Sequence, residues 1–451
     1  MRNESLAKVS ALSVGIDKND NRRYSHDDGS GERESLTSHK QDVSRPAFPT
    51  EKMQTELAAI MSGGDEDRVI AGIDYILAAG AREQASDIHL EPFADGLRIR
   101  FRIDGVLVAA ARLSKECQEN LVARLKVISQ LVTYRKKLPQ DGRTKISVEG
   151  QGVDLRFSFF PTLHGEKVVI RFMSSSRPLR DIGDLGFPED IKADFLERLE
   201  RNQGTILLTG PAGSGKTTTL YAALRHVQRA HGDGRNIMTI EDPVEYDLGD
   251  IAQSQVSPVA GITFSSGLRS LLRQDPNVIM IGEIRDRETA EIAVQAGLTG
   301  HLILSTIHSG SSVGVFTRLI NLDIEPYLVA SSITAILAQR LVPVICAHCK
   351  ERYEPAPGVL KRIPGRERFH GFEFQRGKGC AECRGSGVGG RVGLFELLRV
   401  DDKVRELMLK AAPPSKIMAA LRKKGMKTIV DQGLEKVLTG TVAIEEVLRA
   451  A

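Results

Sequence analysis

The amino-acid sequence predicts an α/β protein in which a small α+β domain precedes a larger domain built on a parallel sheet. Three observations support this fold class. Apolar strands alternate with helical segments from about residue 185 onward, the pattern of a parallel sheet with helices on both faces. A glycine-rich loop follows the first of these strands, TILLTG. Between residues 86 and 172, apolar and polar residues alternate with the period of two that is typical of strands.

Length and composition define the broad class. The chain has 451 residues, of which 41% are hydrophobic and 27% charged, so it can form two or three domains with apolar cores. Its net charge of +4 and aromatic content of 5% argue against a nucleic-acid-binding protein. No apolar run approaches the roughly 18 residues that span a bilayer. The first residues lack the apolar core of a secretory signal. We therefore expect a cytoplasmic protein.

Composition also divides the chain. The first fifty residues are polar, with eight basic and eight acidic side chains, and are expected to form a disordered tail. The predicted boundaries are a tail at 1–50, the α+β domain at 51–174, a linker at 175–187, and the α/β domain at 188–451, which includes a tetracysteine subdomain at 340–395 and C-terminal helices at 396–451.

The α+β domain is predicted from its alternating segments. Strands are expected at 86–92, 97–105, 153–160 and 164–172, and a helix at 116–132. In the second strand Leu97, Ile99, Phe101 and Ile103 share one face, and three arginines share the other. One face of this sheet is therefore expected to be apolar.

The strand TILLTG leads into GPAGSGKT at 210–217, which matches the phosphate-loop pattern G-x-x-x-x-G-K-[ST]. Glycines let the backbone curl so that its N–H groups point at phosphate oxygens, and the following helix adds a positive field. Lys216 then reaches the β- and γ-phosphates of ATP, and the Thr217 hydroxyl holds Mg²⁺. The alternative is a glycine-rich turn with a chance lysine. The predicted nucleotide-binding residues are Gly210, Gly213, Ser214, Gly215, Lys216, Thr217 and Thr218.

Polar residues also follow three apolar strands, at the end where α/β sheets bind ligands. They are Glu241, Asp242 and Glu245 in TIEDPVEY, Glu283 after VIMIG, and His301 and His308 around LILSTI. Glu283 could polarise the attacking water or hold Mg²⁺, and the two histidines could contact the γ-phosphate. Taken alone, each residue could instead be solvated, helix-capping or structural.

In this order, these segments resemble those of the type II secretion and type IV pilus assembly ATPases, from about Ser86 to the C-terminus. The matching segments are GPAGSGKTTTLYAAL (210–224, Walker A box), TIEDPVEY (239–246, Asp box), RQDPNVIMIGEIRDRETA (273–290, Walker B region) and GLTGHLILSTIHS (297–309, His box). The resemblance implies a RecA-like P-loop ATPase domain after a PAS-like domain. It also implies a homohexamer with ATP at subunit or domain interfaces.

The resemblance assigns further roles. The family has glycine where other P-loop ATPases place a Walker B aspartate, and Gly282 fits this, which leaves Glu283 as the catalytic carboxylate. Arginines of the N-terminal domain approach the phosphates, and Arg156 and Arg171 match those positions best. A surface ion pair is the alternative for each. Two features depart from the family: 309–312 reads Ser-Gly-Ser-Ser where Thr-Asn-Asp-Ala is usual, and a short tail stands where many members carry a large docking domain.

Four of the five cysteines form two C-x-x-C pairs, Cys346 with Cys349 and Cys380 with Cys383, separated by 30 residues. Four thiolates are the ligand set of structural Zn²⁺. A redox dithiol is the alternative, and Cys117 is expected to be inert. Within the resemblance, secretion and pilus-extension ATPases typically carry this quartet and retraction ATPases lack it, which favours the zinc-containing export or extension branch.

The sequence thus predicts an ATP hydrolase that powers type II secretion or type IV pilus extension at the bacterial inner membrane, with ATP, Mg²⁺ and Zn²⁺ as cofactors. The resemblance implies docking to an inner-membrane platform protein and a cytoplasmic linker protein, without nucleic acid. Two alternatives stay open. One is a nucleic-acid-translocating P-loop ATPase, because 350–385 carries nine basic and five acidic residues. The other is a nucleotide-binding scaffold without turnover.

Overall fold

A computed structural model describes residues 50–62, 67–103, 105–148, 150–173, 180–363, 365–383 and 385–450. The predicted tail lies outside these residues except for its last position, and so do residues 175–179 of the predicted linker. Both therefore stay predictions. Within the described ranges, no helix has the length and apolar character needed to cross a membrane.

In the first domain, helices cover one face of an antiparallel sheet with strand order β3-β2-β1-β6-β5-β4. The described helices are α1 (Thr50–Met61), α2 (Asp67–Arg82) and α3 (Lys115–Ile128), and the strands are β1 (Asp87–Phe93), β2 (Gly96–Ile103), β3 (Val106–Leu113), β4 (Gln140–Val148), β5 (Gln151–Thr162) and β6 (Gly165–Met173). Alternation did not predict β3 and β4. The edge strand β4 is mostly polar, so it lacks the apolar period of a half-buried strand.

The alternation in β2 is confirmed. Leu97, Ile99 and Phe101 are buried in the core beneath the helices. The three arginines between and after them are only partly buried and lie on the opposite face of the sheet. This domain therefore presents a basic sheet face, which bears on the site described below.

The second domain contains the phosphate loop. Its described helices are α4 (Glu189–Leu199), α5 (Lys216–His231), α6 (Phe264–Leu271), α7 (Arg287–Leu298), α8 (Gly314–Ile320), α9 (Pro326–Ser332), α10 (Pro357–Leu360), α11 (Asp402–Leu409), α12 (Pro414–Lys423), α13 (Ile429–Leu438) and α14 (Ile444–Ala450). Its described strands are β7 (Gly204–Thr209), β8 (Ile237–Glu241), β9 (Ala252–Gln255), β10 (Val278–Ile281), β11 (Leu302–Thr306), β12 (Ile333–Ile345), β13 (Lys350–Arg352), β14 (Gln375–Gly377) and β15 (Val388–Arg399).

The central sheet has the order β15-β12-β7-β11-β10-β8-β9. All neighbours from β12 to β9 are parallel, as predicted, and helices pack on both faces through two separate apolar cores. The edge strand β15 is antiparallel to β12, so the sheet is mixed rather than wholly parallel. The reason is the connection: β12 and β15 are joined by the cysteine-rich insertion and not by a crossover helix.

Two predicted boundaries fall inside regular structure. Strand β12 ends at Ile345 and strand β15 begins at Val388. The predicted tetracysteine subdomain at 340–395 therefore begins and ends within the sheet. The described part of the linker includes Ile182 and Phe187, which are buried in the core of the second domain. The predicted C-terminal helices are present as α11 to α14.

Candidate active site

The phosphate loop connects β7 to α5. Gly210, Gly213 and Gly215 have φ of +148°, +74° and +88°, values that glycine adopts far more readily than other residues. At Gly210 a Cβ would lie 2.4 Å from the carbonyl oxygen of Gln339, so close packing also requires glycine there. The loop is thus a tight curl at the N-terminus of a 16-residue helix. The backbone N–H groups at the start of this helix suit an anion.

Lys216 is the first residue of α5, and its Nζ donates to the carbonyl oxygens of Gly210 at 2.8 Å and Pro211 at 3.0 Å. Burial lowers the pKa of Lys216, the charge of Glu283 opposes that effect, and the guanidinium of Arg340 adds to it. An ammonium whose charged form is disfavoured by burial gains most from an anionic ligand. An anionic ligand at the loop would therefore stabilise the charged form of Lys216.

A second feature of the loop also fits a nucleotide. Ser214 is 3% exposed, and its carbonyl oxygen accepts a hydrogen bond of 2.6 Å from Nε2 of Gln339. Among the described residues, nothing hydrogen-bonds the Ser214 hydroxyl. A buried hydroxyl without a partner costs free energy that a ligand oxygen would recover. Thr217 and Thr218 lie in the first turn of α5, and Thr217 is exposed.

The carboxyl ends of β8, β10 and β11 bring the predicted Glu283, Asp242 and His308 together. Glu283, with 17% of its side chain exposed, accepts a hydrogen bond from Arg285, and its Oε2 lies 3.4 Å from Nε2 of His308. This hydrogen bond raises the pKa of Arg285. Arg285 also lies 3.8 Å from the carboxylate of Asp242. Glu283 is thus a partly exposed carboxylate whose charge acts on Lys216.

Glu241 has different surroundings from Glu283. It is 3% exposed, and its carboxylate accepts hydrogen bonds from Tyr221, from Thr239 at 2.6 Å and from Gln253 at 3.0 Å. Burial raises the pKa of Tyr221, and the charge of Glu241 raises it further, so the phenol stays a donor. These contacts favour a structural role for Glu241 over the predicted catalytic one.

Glu245 lies where the two domains meet. Burial raises its pKa, and the guanidinium groups of Arg171, Arg156 and Arg143 act to lower it. These arginines form a row across the first domain's sheet, because Arg143 pairs with Arg156 and Arg156 pairs with Arg171. Arg143 also donates to the carbonyl oxygen of Val244 at 3.2 Å. The charges of the two predicted arginines therefore act on the predicted acidic segment, and a third arginine that the sequence did not reveal, Arg143, contacts it directly.

Two predicted residues have other contacts. Arg171 donates to Asp87 at 2.8 Å, which is the ion pair considered as its alternative role. His301 precedes β11, and its carbonyl oxygen accepts from Gly204, the first residue of β7. Because β11 and β7 are parallel, His301 lies at the edge where β7 begins, whereas the phosphate loop follows the other end. The structure does not bring His301 to the loop within one chain.

Several residues near the loop were missed by sequence reasoning. Gln339 and Arg340 lie in β12 against the loop, and Tyr221 lies on α5. One signal was available: Gln339 and Arg340 are adjacent polar residues in the otherwise apolar strand ITAILAQRLVPVI. Polar side chains in the middle of a buried strand need partners. No comparable signal marks Arg143, because its strand is mostly polar.

The four predicted cysteines form one cluster, with all Sγ atoms within 4.8 Å of one another. The Cys346–Cys380, Cys349–Cys383 and Cys380–Cys383 sulfur distances are 3.9, 3.7 and 3.6 Å. Four sulfurs at roughly 2.3 Å from a tetrahedral Zn²⁺ would be about 3.8 Å apart. Backbone N–H groups of Gly379, Cys380 and Gly387 each lie 3.2 Å from one of these sulfurs. The geometry of the cluster therefore fits a structural zinc ion.

Comparison with known proteins extends these observations. A protein-family model described as Type II/IV secretion system protein matches residues 63–449. The chain is 43% identical over 390 residues to the type II secretion system ATPase E of Vibrio cholerae, covering 86% of this chain and 76% of that protein. It is 40% identical over 385 residues to the type IV pilus assembly ATPase PilB of Thermus thermophilus, covering 85% of this chain and 43% of that protein.

Two solved structures share the architecture. The ATPase DotB of Legionella pneumophila superposes with a TM-score of 0.63 at 22% identity, over 84% of this chain and 94% of that one. The pilus retraction motor PilT, solved with bound ADP, superposes with a TM-score of 0.58 at 25% identity, over 84% of this chain and 96% of that one. The first likeness concerns the fold alone.

Proposed function

Because this chain belongs to the Type II/IV secretion system protein family, we propose that it is an ATP-hydrolysing motor for type II protein secretion or type IV pilus assembly. The observation that carries the proposal is a glycine cradle at 210–215 and a partly exposed carboxylate, Glu283, at the same end of the central sheet. The cradle follows β7, and Glu283 follows β10, with β11 between these two strands. Lys216 lies in the cradle, and the charge of Glu283 acts on it.

Residues of the loop would hold ATP. The backbone N–H groups of 212–217 and the Nζ of Lys216 would donate to the phosphates, and the hydroxyl of Thr217 would be a ligand of Mg²⁺. Bound Mg²⁺ supplies positive charge against the phosphate oxygens. The unpartnered hydroxyl of Ser214 and the glycine conformations support this assignment.

Glu283 is the better candidate for the base that orients water. Its Oε2 faces His308, and its partial exposure leaves room for a water molecule, which the fully engaged Glu241 does not offer. Glu283 would take the proton of the attacking water, and His308 would hold the carboxylate in position. Arg285 would also hold that carboxylate in place through its hydrogen bond.

The arginine row would couple hydrolysis to domain movement. Arg143, Arg156 and Arg171 come from the first domain, yet they act electrostatically on Glu245 of the second. We extend the proposal to a homohexamer in which these guanidinium groups stabilise charge on the phosphates. They would move when hydrolysis and phosphate release remove that charge. The machine would then be driven by rotation of one domain against the other.

The cysteine quartet supports a structural Zn²⁺ and the export or extension branch rather than retraction. The insertion connects β12 to β15, so zinc would hold its two ends together. We place the protein in the cytoplasm at the inner membrane, docked to a platform protein and a cytoplasmic linker protein of its machine. The relatives named as secretion and pilus assembly ATPases support this placement.

Phosphate release by the purified chain tests the function. Glu283→Gln should lower the rate of ATP hydrolysis by roughly 100-fold or more, with nucleotide affinity changed by less than about threefold. Glu197→Gln, an exposed carboxylate on α4, is the matched control and should hydrolyse ATP at the wild-type rate.

Two results would overturn the proposal. A wild-type protein that binds ATP but releases no phosphate, even with its membrane partner, would be a scaffold. Hydrolysis stimulated about tenfold or more by DNA, with the steep salt dependence of phosphate contacts, would identify a nucleic-acid translocase.

A further inference from the structure

Arg340 occupies an unusual position in β12. Its guanidinium donates to three carbonyl oxygens: Gly310 at 2.8 Å, Gln339 at 3.1 Å and Ala450 at 3.0 Å. The first belongs to the segment after His308 and the last to the end of α14. One half-buried side chain therefore links the nucleotide site to the C-terminal helix.

A buried acid holds the same segment from the other side. Glu396 of β15 is 4% exposed and accepts from the backbone N–H of Ser312 at 3.4 Å and from the Ser312 hydroxyl. Its other oxygen accepts from the N–H of Ile429, the first residue of α13, at 3.3 Å. Glu396 also acts electrostatically on Arg340. The segment 309–312 is thus hydrogen-bonded to Arg340 of β12 and Glu396 of β15, which themselves bond to α14 and α13.

A third contact joins this segment to the phosphate loop. The hydroxyl of Thr209, the residue before Gly210, donates to the carbonyl oxygen of Ser309 and accepts from its N–H, both at 3.0 Å. The guanidinium of Arg340 would lie 3.3 Å from a Cβ placed on Gly210. The backbone that follows His308 is therefore held between the loop, Arg340 and Glu396.

We infer that Arg340 is a positioning residue that sets His308 against Glu283 by fixing the segment 309–312, and that it couples this segment to α14. The inference rests on the proposed ATP hydrolysis. Arginine suits this task because its planar fork of donors can serve several carbonyl oxygens at once, while a lysine ammonium on a flexible stem cannot hold all three in a fixed geometry.

A double-mutant cycle tests whether Arg340 acts through His308. In Arg340→Lys, kcat should fall by about 10- to 100-fold because the site is misplaced, while KM for ATP changes by less than about twofold. In the His308→Gln background the same change should cost less than about twofold. Arg399→Lys is the matched control, since Arg399 lies on β15 and pairs with Asp194 away from the site. Multiplicative losses in the cycle would overturn the inference.

Hydrogen exchange provides a readout that does not need turnover. In Arg340→Lys, amides of 309–312 and of α14 should exchange about tenfold faster than in wild type, and ADP binding to wild type should slow exchange in both segments together. Ser312→Ala, which removes only the hydroxyl donor to Glu396, tests the other contact that holds this segment. Arg340→Gln repeats the test at residue 340 should Arg340→Lys not fold. If wild type releases no phosphate, the proposed function fails, yet the exchange result still decides the coupling. Unchanged exchange in 309–312 or in α14 would refute it.

Discussion

Replacing Tyr221 with phenylalanine would separate the role of the buried carboxylate, Glu241, from that of the partly exposed one, Glu283. Tyr221 is fully buried on α5, and its hydroxyl donates to Glu241. The same oxygen accepts from the backbone N–H of Glu245 at 3.2 Å. The substitution removes one atom and leaves the ring, including its edge-on contact with Tyr246 at 4.6 Å. Any effect therefore reports on hydrogen bonding and not on a cavity.

The expected cost follows from these contacts. A hydrogen bond to an ionised group contributes roughly 1.5–3 kcal/mol, and a backbone N–H that loses its acceptor adds about 1 kcal/mol. Removing a buried hydroxyl recovers part of its desolvation, about 1 kcal/mol. The Tyr221→Phe variant should thus lose about 1.5–3 kcal/mol in free energy of unfolding. Glu241 would stay buried with the donors of Thr239 and Gln253.

Urea unfolding followed by far-UV circular dichroism measures this cost, because the chain contains no tryptophan. The midpoint should fall without a change in the m-value. Tyr327→Phe, at an exposed position on α9, should stay within about 0.5 kcal/mol of wild type. ATP hydrolysis well below the midpoint should change far less than in Glu283→Gln. Wild-type stability combined with abolished hydrolysis in Tyr221→Phe would refute the structural role of Glu241.

Two further predictions concern the zinc cluster and a buried ion pair. A strong chelator should release one zinc ion per chain and expose 346–387 to proteolysis, while the central sheet stays folded. By atomic absorption, Cys383→Ser should lack the ion and Cys117→Ser should retain it. Lys126 is fully buried and lies 2.7 Å from Glu166, so Lys126→Met should cost roughly 3–5 kcal/mol by urea unfolding, and adding Glu166→Gln should restore part of it. Equal stability of single and double variants would contradict that pairing.

Much of the site was accessible from the sequence because its determinants are local. The glycines at 210, 213 and 215 are required by the backbone conformation of one short loop, and the two C-x-x-C pairs each set two sulfurs close together. The period of two in β2 identified its buried face. The tendency of α/β sheets to bind ligands at the carboxyl ends of their strands predicted that Glu283 and His308 lie at the same end of the sheet.

The sequence by itself therefore determined the phosphate loop, the cysteine cluster and the family. Only the tertiary structure showed that Glu241 is engaged in internal hydrogen bonds and that His301 lies at the end of the sheet opposite the phosphate loop. It also showed that Arg143 and Arg340 lie near the site. The physical reason is distance along the chain. Each of these outcomes depends on strand order and on contacts between segments tens to hundreds of residues apart, and side-chain periodicity within a single strand carries no information about its neighbours.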